Sequence, residues 1–130
     1  MKDLVLTAKA FADPSRVRIL AALRDQELCV CELCDALAMR QSTLSTHLQV
    51  IRDAGLVSAR RQGKWMYYAI APKAKVLVAS LFGSFSQSLA KDARLQRDAE
   101  NRHRRLSLRT DGACCVGFGA KVNCCKGSEK

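Results

Sequence analysis

Proline, glycine and long apolar runs are all scarce in this sequence. It contains two prolines and seven glycines in 130 residues and is 48% hydrophobic, a composition typical of a globular domain rather than a disordered chain. No apolar run approaches the ~20 residues that a spanning helix needs, so we expect no membrane-spanning segment. Residues 1–12 carry Lys2, Asp3 and Lys9 instead of the clean apolar stretch of a secretion signal, which predicts a cytoplasmic protein.

Acidic residues are few relative to basic ones. Twelve Asp and Glu stand against 22 Lys and Arg, which leaves a net charge of +10. Such an excess favours a polyanionic partner, either nucleic acid or an anionic membrane surface. The length allows one domain, and a domain of this size often gains stability by dimerising.

The apolar spacing predicts a series of helices followed by a hairpin. Helices are expected at Leu4–Phe11, from the N-cap Asp13 and Pro14 to about Gln26, at Val30–Ala38, and from the N-cap Ser42 to residues 53–55. The β-rich runs 56–60 and 65–70 flank a basic turn at Gly63, which predicts a β-hairpin. A further helix is expected after Pro72, with one buried face formed by Val78, Leu81, Phe85 and Leu89. Little packed structure is expected beyond Gln96, because residues 91–110 have few apolar side chains.

Two helices joined by a short turn and followed by a basic hairpin are the order of a winged helix-turn-helix, whose second helix lies in the major groove. The polar face of the fourth predicted helix supplies the candidates for DNA contacts: Ser42, Thr43, Ser45, Thr46, His47 and Gln49. The hairpin supplies three cations for phosphate contacts, Arg60, Arg61 and Lys64. A polar face that is merely solvated is the alternative interpretation of the helix alone.

Residues 27–71 closely resemble arsenic-responsive repressors of the ArsR/SmtB family, as does the stretch 10–20. The resemblance rests on Glu-Leu-Cys-Val-Cys-Glu-Leu-Cys, Gln-Ser-Thr-Leu-Ser-Thr-His-Leu and Arg-Gln-Gly-Lys-Trp-Met-Tyr-Tyr. It implies a mainly α-helical winged helix-turn-helix with a β-hairpin wing. It also implies a homodimer, formed through Leu4–Phe11 and Val76–Leu89, that leaves double-stranded operator DNA when a metalloid or metal binds. We therefore predict a DNA-binding and dimerisation domain at 1–92 and a flexible, basic, cysteine-containing extension at 93–130.

Three thiols at the start of the third predicted helix, Cys29, Cys31 and Cys34, form the first candidate metal site. At ~100° per residue Cys31 and Cys34 share a face, whereas Cys29 lies nearly opposite Cys31. The sulfurs therefore converge only if Cys29 precedes the helix or the first turn distorts. Three thiolates suit As(III) or Sb(III), with Cd(II) or Zn(II) as further effectors, although zinc prefers a fourth ligand. The alternative is that the thiols are small buried residues.

Four later thiols, Cys114, Cys115, Cys124 and Cys125, form two adjacent pairs in a glycine-containing segment and are secondary candidates. The odd total of seven cysteines and the missing secretion signal argue against a disulfide framework. These pairs are suited to capture arsenite or cadmium, or to scavenge metals incidentally. The sequence does not decide which thiol group governs release.

Two other classes of function compete with a repressor. Cys31-x-x-Cys34 has the spacing of a thioredoxin-like motif, so one alternative is a thiol-based arsenate reductase or another redox enzyme. The βαβ setting of that motif, a Ser/His/Asp set and a phosphate loop are all missing, which favours a protein that is not an enzyme. The other alternative is a DNA-binding protein that buffers metal without switching.

Overall fold

The computed structural model describes residues 1–110 and 112–114. The helices in this part of the chain are α1 (Lys2–Phe11), α2 (Pro14–Ala22), α3 (Val30–Leu37), α4 (Gln41–Asp53), α5 (Lys75–Ser84), α6 (Ser86–Ala90) and α7 (Ala93–Leu106). The strands are β1 (Leu28–Cys29), β2 (Val57–Gln62) and β3 (Trp65–Ile70), and a short 3-10 turn spans Pro72–Ala74. The predicted fold class, mainly α-helical with a β-hairpin wing, is confirmed.

Local signals place the starts of the helices in the N-terminal half. The carboxylate of Asp13 accepts hydrogen bonds from the backbone N–H groups of Ser15 and Arg16 at 2.8 and 3.3 Å, so Asp13 caps α2 as predicted. The predicted cap of α4 is wrong, because the helix begins at Gln41 and its N-cap is Arg40. Ala38 ends α3 in the left-handed conformation with φ 51°, and the chain enters α4 within three residues.

The strands form an antiparallel sheet in the order β1-β3-β2. In the hairpin Val57 lies opposite Ile70 and Arg60 lies opposite Tyr67, and Gly63 takes φ +61° in the turn between the strands. Strand β1, which the sequence did not predict, pairs Cys29 with Tyr67. A strand of two residues is too short to show an alternating apolar pattern in the sequence. It places the start of α3 against the hairpin.

One large apolar core joins α1–α5 to the base of the hairpin. Its fully buried members include Ile19, Leu20, Leu33, Leu44 and Ile51. The inward-facing residues predicted for α4 are confirmed, because Leu44, Leu48 and Ile51 are all buried. The scaffold therefore fixes α4 through its apolar face and leaves its opposite face to solvent.

The single long helix predicted after Pro72 is interrupted. Helix α5 ends at Ser84, and Phe85, with φ −112° and ψ 21°, separates it from α6. Val78 and Phe82 are the buried residues of α5, whereas Phe85 is 59% exposed. The expectation of a continuous buried face through Phe85 is therefore wrong, because the break changes the direction of the face.

Helix α7 contradicts the expectation of little packed structure after Gln96. Its Asp98 carboxylate accepts two hydrogen bonds from Arg18 of α2, at 2.7 and 2.9 Å. Arg102 donates to the carbonyl of Ala22 at 2.9 Å. Helix α7 docks mainly through charged and polar groups, so its low apolar content concealed its packing.

Candidate metal centre and nucleic-acid interface

Three buried sulfurs, those of Cys29, Cys31 and Cys114, meet at the N-terminus of α3. The Sγ atoms of Cys29 and Cys31 are 2.8 Å apart, and those of Cys31 and Cys114 are 3.3 Å apart. All three lie within 4.8 Å of one another. Together with Tyr67 the three residues form a small core separate from the large one. We call these three residues the thiol cluster.

The cluster forms because two segments meet, the start of α3 and the turn that follows α7. Cys29 precedes the first residue of α3 in an extended conformation, and its backbone N–H donates to the Glu32 carboxylate at 3.0 Å. Convergence of the sulfurs was expected to require that Cys29 precede the helix, and Cys29 does precede α3. After α7 the chain turns back at Gly112, which takes φ +74°, and a bridge joins Thr110 to Ala113. Cys114 follows directly.

Two arginines from the end of α7 and the residues after it surround the thiol cluster. Arg105 Nη2 lies 3.7 Å from the sulfurs of Cys31 and Cys114, and its Nε donates to Asp35 at 2.7 Å. Arg109 donates to both carboxylate oxygens of Glu32 at 2.7 Å. Because Glu32 also accepts from the backbone of Cys29, these contacts tie the chain after α7 to the first turn of α3.

The pKa values of two thiols of the cluster, Cys29 and Cys31, are raised. Hydrogen bonds with Cys114 and Cys31, together with burial and the charge of Glu32, raise the pKa of Cys29. The hydrogen bond with Cys114 and burial raise the pKa of Cys31 to about 12, against an opposing effect of Cys29. A soft ion that binds Cys29 and Cys31 therefore displaces their protons rather than meeting preformed thiolates.

Cys34 does not join the thiol cluster. It lies in the large core, and burial followed by the charge of Asp35 raises its pKa to about 11. The expectation that Cys29, Cys31 and Cys34 form one site is therefore not matched by the geometry. Cys34 lies nearly one helical turn beyond Cys31, a rise of ~4.5 Å, and Cys114 takes the third position instead. Cys115, Cys124 and Cys125 lie outside the described residues.

Three sulfur ligands suit a soft ion that accepts three-fold coordination. In the described part of the chain no fourth Cys, His, Asp or Glu ligand atom joins the cluster. Structural zinc sites almost always have four protein ligands, whereas soft thiolate ligands favour sulfur-seeking ions. The structure therefore brings together three of the predicted candidate thiols, two from the first group and Cys114 from the second.

The polar residues predicted to contact DNA lie on the outer face of α4. Five of the six are exposed, namely Ser42, Thr43, Ser45, Thr46 and Gln49. His47 is only partly exposed, and its Nδ1 lies 3.3 Å from a guanidinium nitrogen of Arg16 and 3.9 Å from the Asp13 carboxylate. Its ring thus contacts the start of α2, and a contact with DNA would have to compete with these groups.

The three cations of the hairpin have different surroundings. Arg60 forms an ion pair with Glu27 through its Nε and Nη2 atoms and lies 4.8 Å from the ring centroid of Tyr67. This pairing is the main cause of the lowered pKa of Glu27. Arg61 is exposed on the neighbouring position of β2, and exposed Lys64 lies 5.1 Å from the ring centroid of Trp65. Arg61 and Lys64 are therefore the hairpin cations with the greater access to a phosphate backbone.

Sequence reasoning missed Arg105, Arg109 and Tyr67. Arg105 and Arg109 were counted only as part of a basic extension, although each is paired with a carboxylate of α3. Tyr67 was counted only as part of a β-rich run. The one available signal was the presence of four acids among residues 25–35, Asp25, Glu27, Glu32 and Asp35, in an otherwise basic chain.

The comparisons with known proteins agree with this architecture. Residues 13–59 match the family model described as bacterial regulatory protein, arsR family. The arsenic resistance transcriptional regulator ArsR2 of Pseudomonas putida is 35% identical over 114 residues, which cover 82% of this chain and 93% of that protein. The chain belongs to the ArsR family.

Other relatives match this ArsR-family chain over a shorter span. The arsenical resistance operon repressor of Escherichia coli is 45% identical over 65 residues, 49% of this chain and 56% of that protein. The arsenic resistance transcriptional regulator ArsR1 of Pseudomonas putida is 46% identical over 66 residues, 50% of this chain and 52% of that protein. The chain thus spans about half the length of these two curated relatives.

Solved structures share the winged helix-turn-helix fold of this ArsR-family protein. The homodimeric winged helix-turn-helix DNA-binding domain of Mb0332 from Mycobacterium bovis is 31% identical, with a TM-score of 0.63, and covers 71% of this chain and 86% of that one. HlyU from Vibrio cholerae is 34% identical, with a TM-score of 0.60, and covers 65% of this chain and 94% of that one. Within residues 1–110 and 112–114, none of the helices is long and apolar enough to span a bilayer.

Proposed function

We propose that this ArsR-family protein is a metalloid-responsive transcriptional repressor that binds operator DNA as a homodimer. Arsenite or antimonite binds Cys29, Cys31 and Cys114 and releases the protein from the operator. The observation that carries this proposal is the meeting of three buried sulfurs within 4.8 Å at the start of the helix that supports α4. The names of the arsenic-resistance relatives support the choice of effector.

The chemistry of binding fits the neutral state of the thiols. Arsenous acid, As(OH)₃, exchanges three As–O bonds for three As–S bonds, and each thiol proton leaves with a hydroxide as water. The raised pKa values of Cys29 and Cys31 therefore do not prevent the reaction. Soft thiolate ligands select soft, sulfur-seeking ions over the hard cations that prefer oxygen.

The proposed DNA interface consists of the outer face of α4 and the tip of the hairpin. Small hydroxyls and the amide of Gln49 suit contacts with base edges and phosphates in the major groove. Arg61 and Lys64 provide positive charge beside that face, and the net charge of +10 favours a polyanion. Arg60 is also proposed as a phosphate contact. It is expected to contribute less to DNA affinity than Arg61 or Lys64, because it already pairs with Glu27.

The thiol cluster is connected to both parts of that interface. Cys29 and Cys31 belong to the start of α3, which packs against α4 and shares the large core with it. The backbone N–H of Cys114 donates a hydrogen bond to the hydroxyl of Tyr67 in the hairpin. Bonds from one ion to all three sulfurs would therefore pull on α3 and on β3 together. A coupling free energy of ~1–3 kcal/mol between the two ligands is expected for such a switch.

The proposed homodimer uses α1 and α5. Both helices expose large apolar side chains: Leu4 is 72% exposed, Val5 47%, Val76 78% and Leu77 40%. Apolar residues concentrated on two surface helices are typical of an interaction face. The homodimeric state printed for Mb0332 supports the same interpretation.

The test is operator release measured by fluorescence anisotropy as arsenite is added. Cys29→Ser, Cys31→Ser and Cys114→Ser should keep DNA affinity within about threefold and lose release, because two sulfurs cannot replace three-fold coordination. Cys34→Ser, a buried thiol of the same helix, is the matched control and should release normally. A triple variant with Cys115, Cys124 and Cys125 changed to Ser should also release normally.

Three outcomes would contradict the proposal. Normal release by Cys114→Ser would remove that residue from the site. Arsenite binding without any change in DNA affinity would favour a metal-buffering protein. Turnover of arsenate with a thiol donor would favour an enzyme.

A further inference from the structure

The guanidinium of Arg105 lies beside the sulfurs of the thiol cluster. Its side chain is 4% exposed, and its Nη2 lies 3.7 Å from two sulfurs of the thiol cluster, those of Cys31 and Cys114. Burial opposes its charge, but hydrogen bonds to Asp35 and Cys114 keep its pKa raised. A positively charged group therefore lies beside the thiol cluster.

The positive charges near the cluster are matched by carboxylates. Arg105 pairs with Asp35 at 2.7 Å, and Arg109 pairs with Glu32 at 2.7 Å. Each of these two arginines is thus paired with a carboxylate of α3 beside the thiol cluster. Any ion that adds charge on binding changes this balance in a buried place, which is costly.

Trivalent and divalent ions differ in the charge that they add to the thiol cluster on binding. Arsenous acid and three neutral thiols give As(SR)₃ and three waters, so no charge is added to the protein. A divalent cation M²⁺ and three thiols give M(SR)₃⁻ and three released protons, so one negative charge is added at the sulfurs. The free energy of binding a divalent ion therefore depends on the local charge, whereas that of binding arsenite depends on it much less.

We propose that Arg105 and Asp35 determine which ion charge the thiol cluster accepts, with Asp35 neutralising Arg105 and so disfavouring divalent sulfur-seeking cations relative to arsenite. This inference rests on the proposed function and names the determinant of its selectivity. Arg105 is not a ligand. It acts through its position beside two of the ligating sulfurs, and Asp35 acts by compensating its charge.

The experiment compares arsenite and Cd(II) as probes of the full chain. Each protein carries Cys115→Ser, Cys124→Ser and Cys125→Ser, so that sulfur-to-ion charge-transfer absorption reports the thiol cluster under anaerobic conditions. Asp35→Asn removes the carboxylate that pairs with Arg105 and should increase Cd(II) affinity on the order of tenfold. Arg105→Gln should decrease it on the order of tenfold. Arsenite affinity should change by less than about threefold in both.

Two kinds of control accompany these variants. Glu100→Gln and Arg104→Gln remove charges of the same signs from exposed positions of α7 and should leave both affinities unchanged. The double variant Asp35→Asn, Arg105→Gln restores the balance and should return the Cd(II)-to-arsenite affinity ratio to within about threefold of its starting value. Circular dichroism checks that each variant is folded, and Asp35→Asn alone decides the question if Arg105→Gln unfolds.

The results that overturn the inference are distinct from those that overturn the repressor proposal. A Cd(II)-to-arsenite ratio that changes by less than about twofold in Asp35→Asn, or that moves in the same direction in both single variants, removes the charge pair as the determinant. Absence of arsenite–thiolate absorption in the parent protein overturns the proposed function itself. Opposite shifts in the two single variants, cancelled in the double variant, support the inference.

Discussion

The phenol oxygen of Tyr67 accepts a hydrogen bond from the backbone N–H of Cys114 at 2.7 Å. Tyr67 lies in β3, and its ring is covered by Arg60 from β2 at 4.8 Å. The hairpin thus holds the segment that brings the third sulfur to the thiol cluster. A displacement of Cys114 by a bound ion has a direct mechanical connection to the proposed DNA-binding wing.

Removal of that hydrogen bond is expected to weaken arsenite binding. Tyr67→Phe leaves a buried N–H without its acceptor, which costs ~1–3 kcal/mol and loosens Cys114 from the other two sulfurs. We expect arsenite affinity to fall on the order of tenfold, with little change in DNA affinity when arsenite is absent. Tyr68→Phe, on the opposite face of β3, is the matched control. Equal arsenite affinities in the two variants would show that the Tyr67 hydroxyl does not position Cys114.

Phosphate affinity should depend on the tip of the hairpin. Arg61→Ala and Lys64→Ala should each weaken binding to operator and random DNA alike and reduce the log–log salt slope by about one unit. Arg60→Ala should reduce that slope less, because its guanidinium already pairs with Glu27. Titrations at several salt concentrations measure these slopes. A selective change of base preference with an unaltered slope would contradict the assignment to phosphates.

Base recognition should depend on the outer face of α4. Ser45→Ala or Gln49→Ala should reduce the preference for operator over random DNA by ~1–3 kcal/mol wherever the side chain contacts a base edge. In the free protein the amide of Gln49 donates to the Asp53 carboxylate at 2.8 Å. Gln49 must therefore leave this exposed partner before it can contact a base edge. Competition binding with both sequences measures the preference. If the double variant discriminates as well as the parent, recognition resides in other residues or in DNA shape.

Helix α7 should contribute to the stability of the domain. Asp98→Ala leaves Arg18 buried without its carboxylate, and the free energy of unfolding should fall by about 3 kcal/mol. The double variant Arg18→Met, Asp98→Leu should be less affected because no charge is left unpaired. Urea denaturation at fixed protein concentration provides the comparison, with the exposed Glu100→Gln as control. A loss below about 0.5 kcal/mol in Asp98→Ala would mean that α7 is not part of the cooperative unit.

Self-association should depend on the exposed apolar residues of α1 and α5. Val76→Glu and Leu4→Glu place charges in the proposed dimer interface, where burial of an unpaired carboxylate is costly. Sedimentation velocity should therefore report a shift to monomer and a concentration-dependent loss of operator binding. Glu100→Lys, on the exposed surface of α7, should leave the dimer intact. Dimers that persist in both charged variants would place the interface elsewhere.

Local signals in the sequence were sufficient for much of the fold. The cap at Asp13, the inward spacing of Leu44, Leu48 and Ile51, and the turn at Gly63 each act over a few residues, and all three appear as predicted. The start of α4 differs from the prediction by two residues, because Ser42 is a good cap type but Arg40 holds the cap position. The preference of Ser42 for an N-cap position is outweighed by the backbone geometry of the turn from α3 to α4.

The sequence by itself determined that a group of cysteines lies at the start of α3, and that the outer face of α4 is polar. Only the tertiary structure decided which sulfurs meet. Cys114 lies 83 residues from Cys31, and it arrives there because arginines 70 to 80 residues distant from their partners fix α7 and the following turn. Ion pairs between distant segments leave no periodic pattern in a sequence, since each partner looks like an ordinary surface charge until the chain has folded.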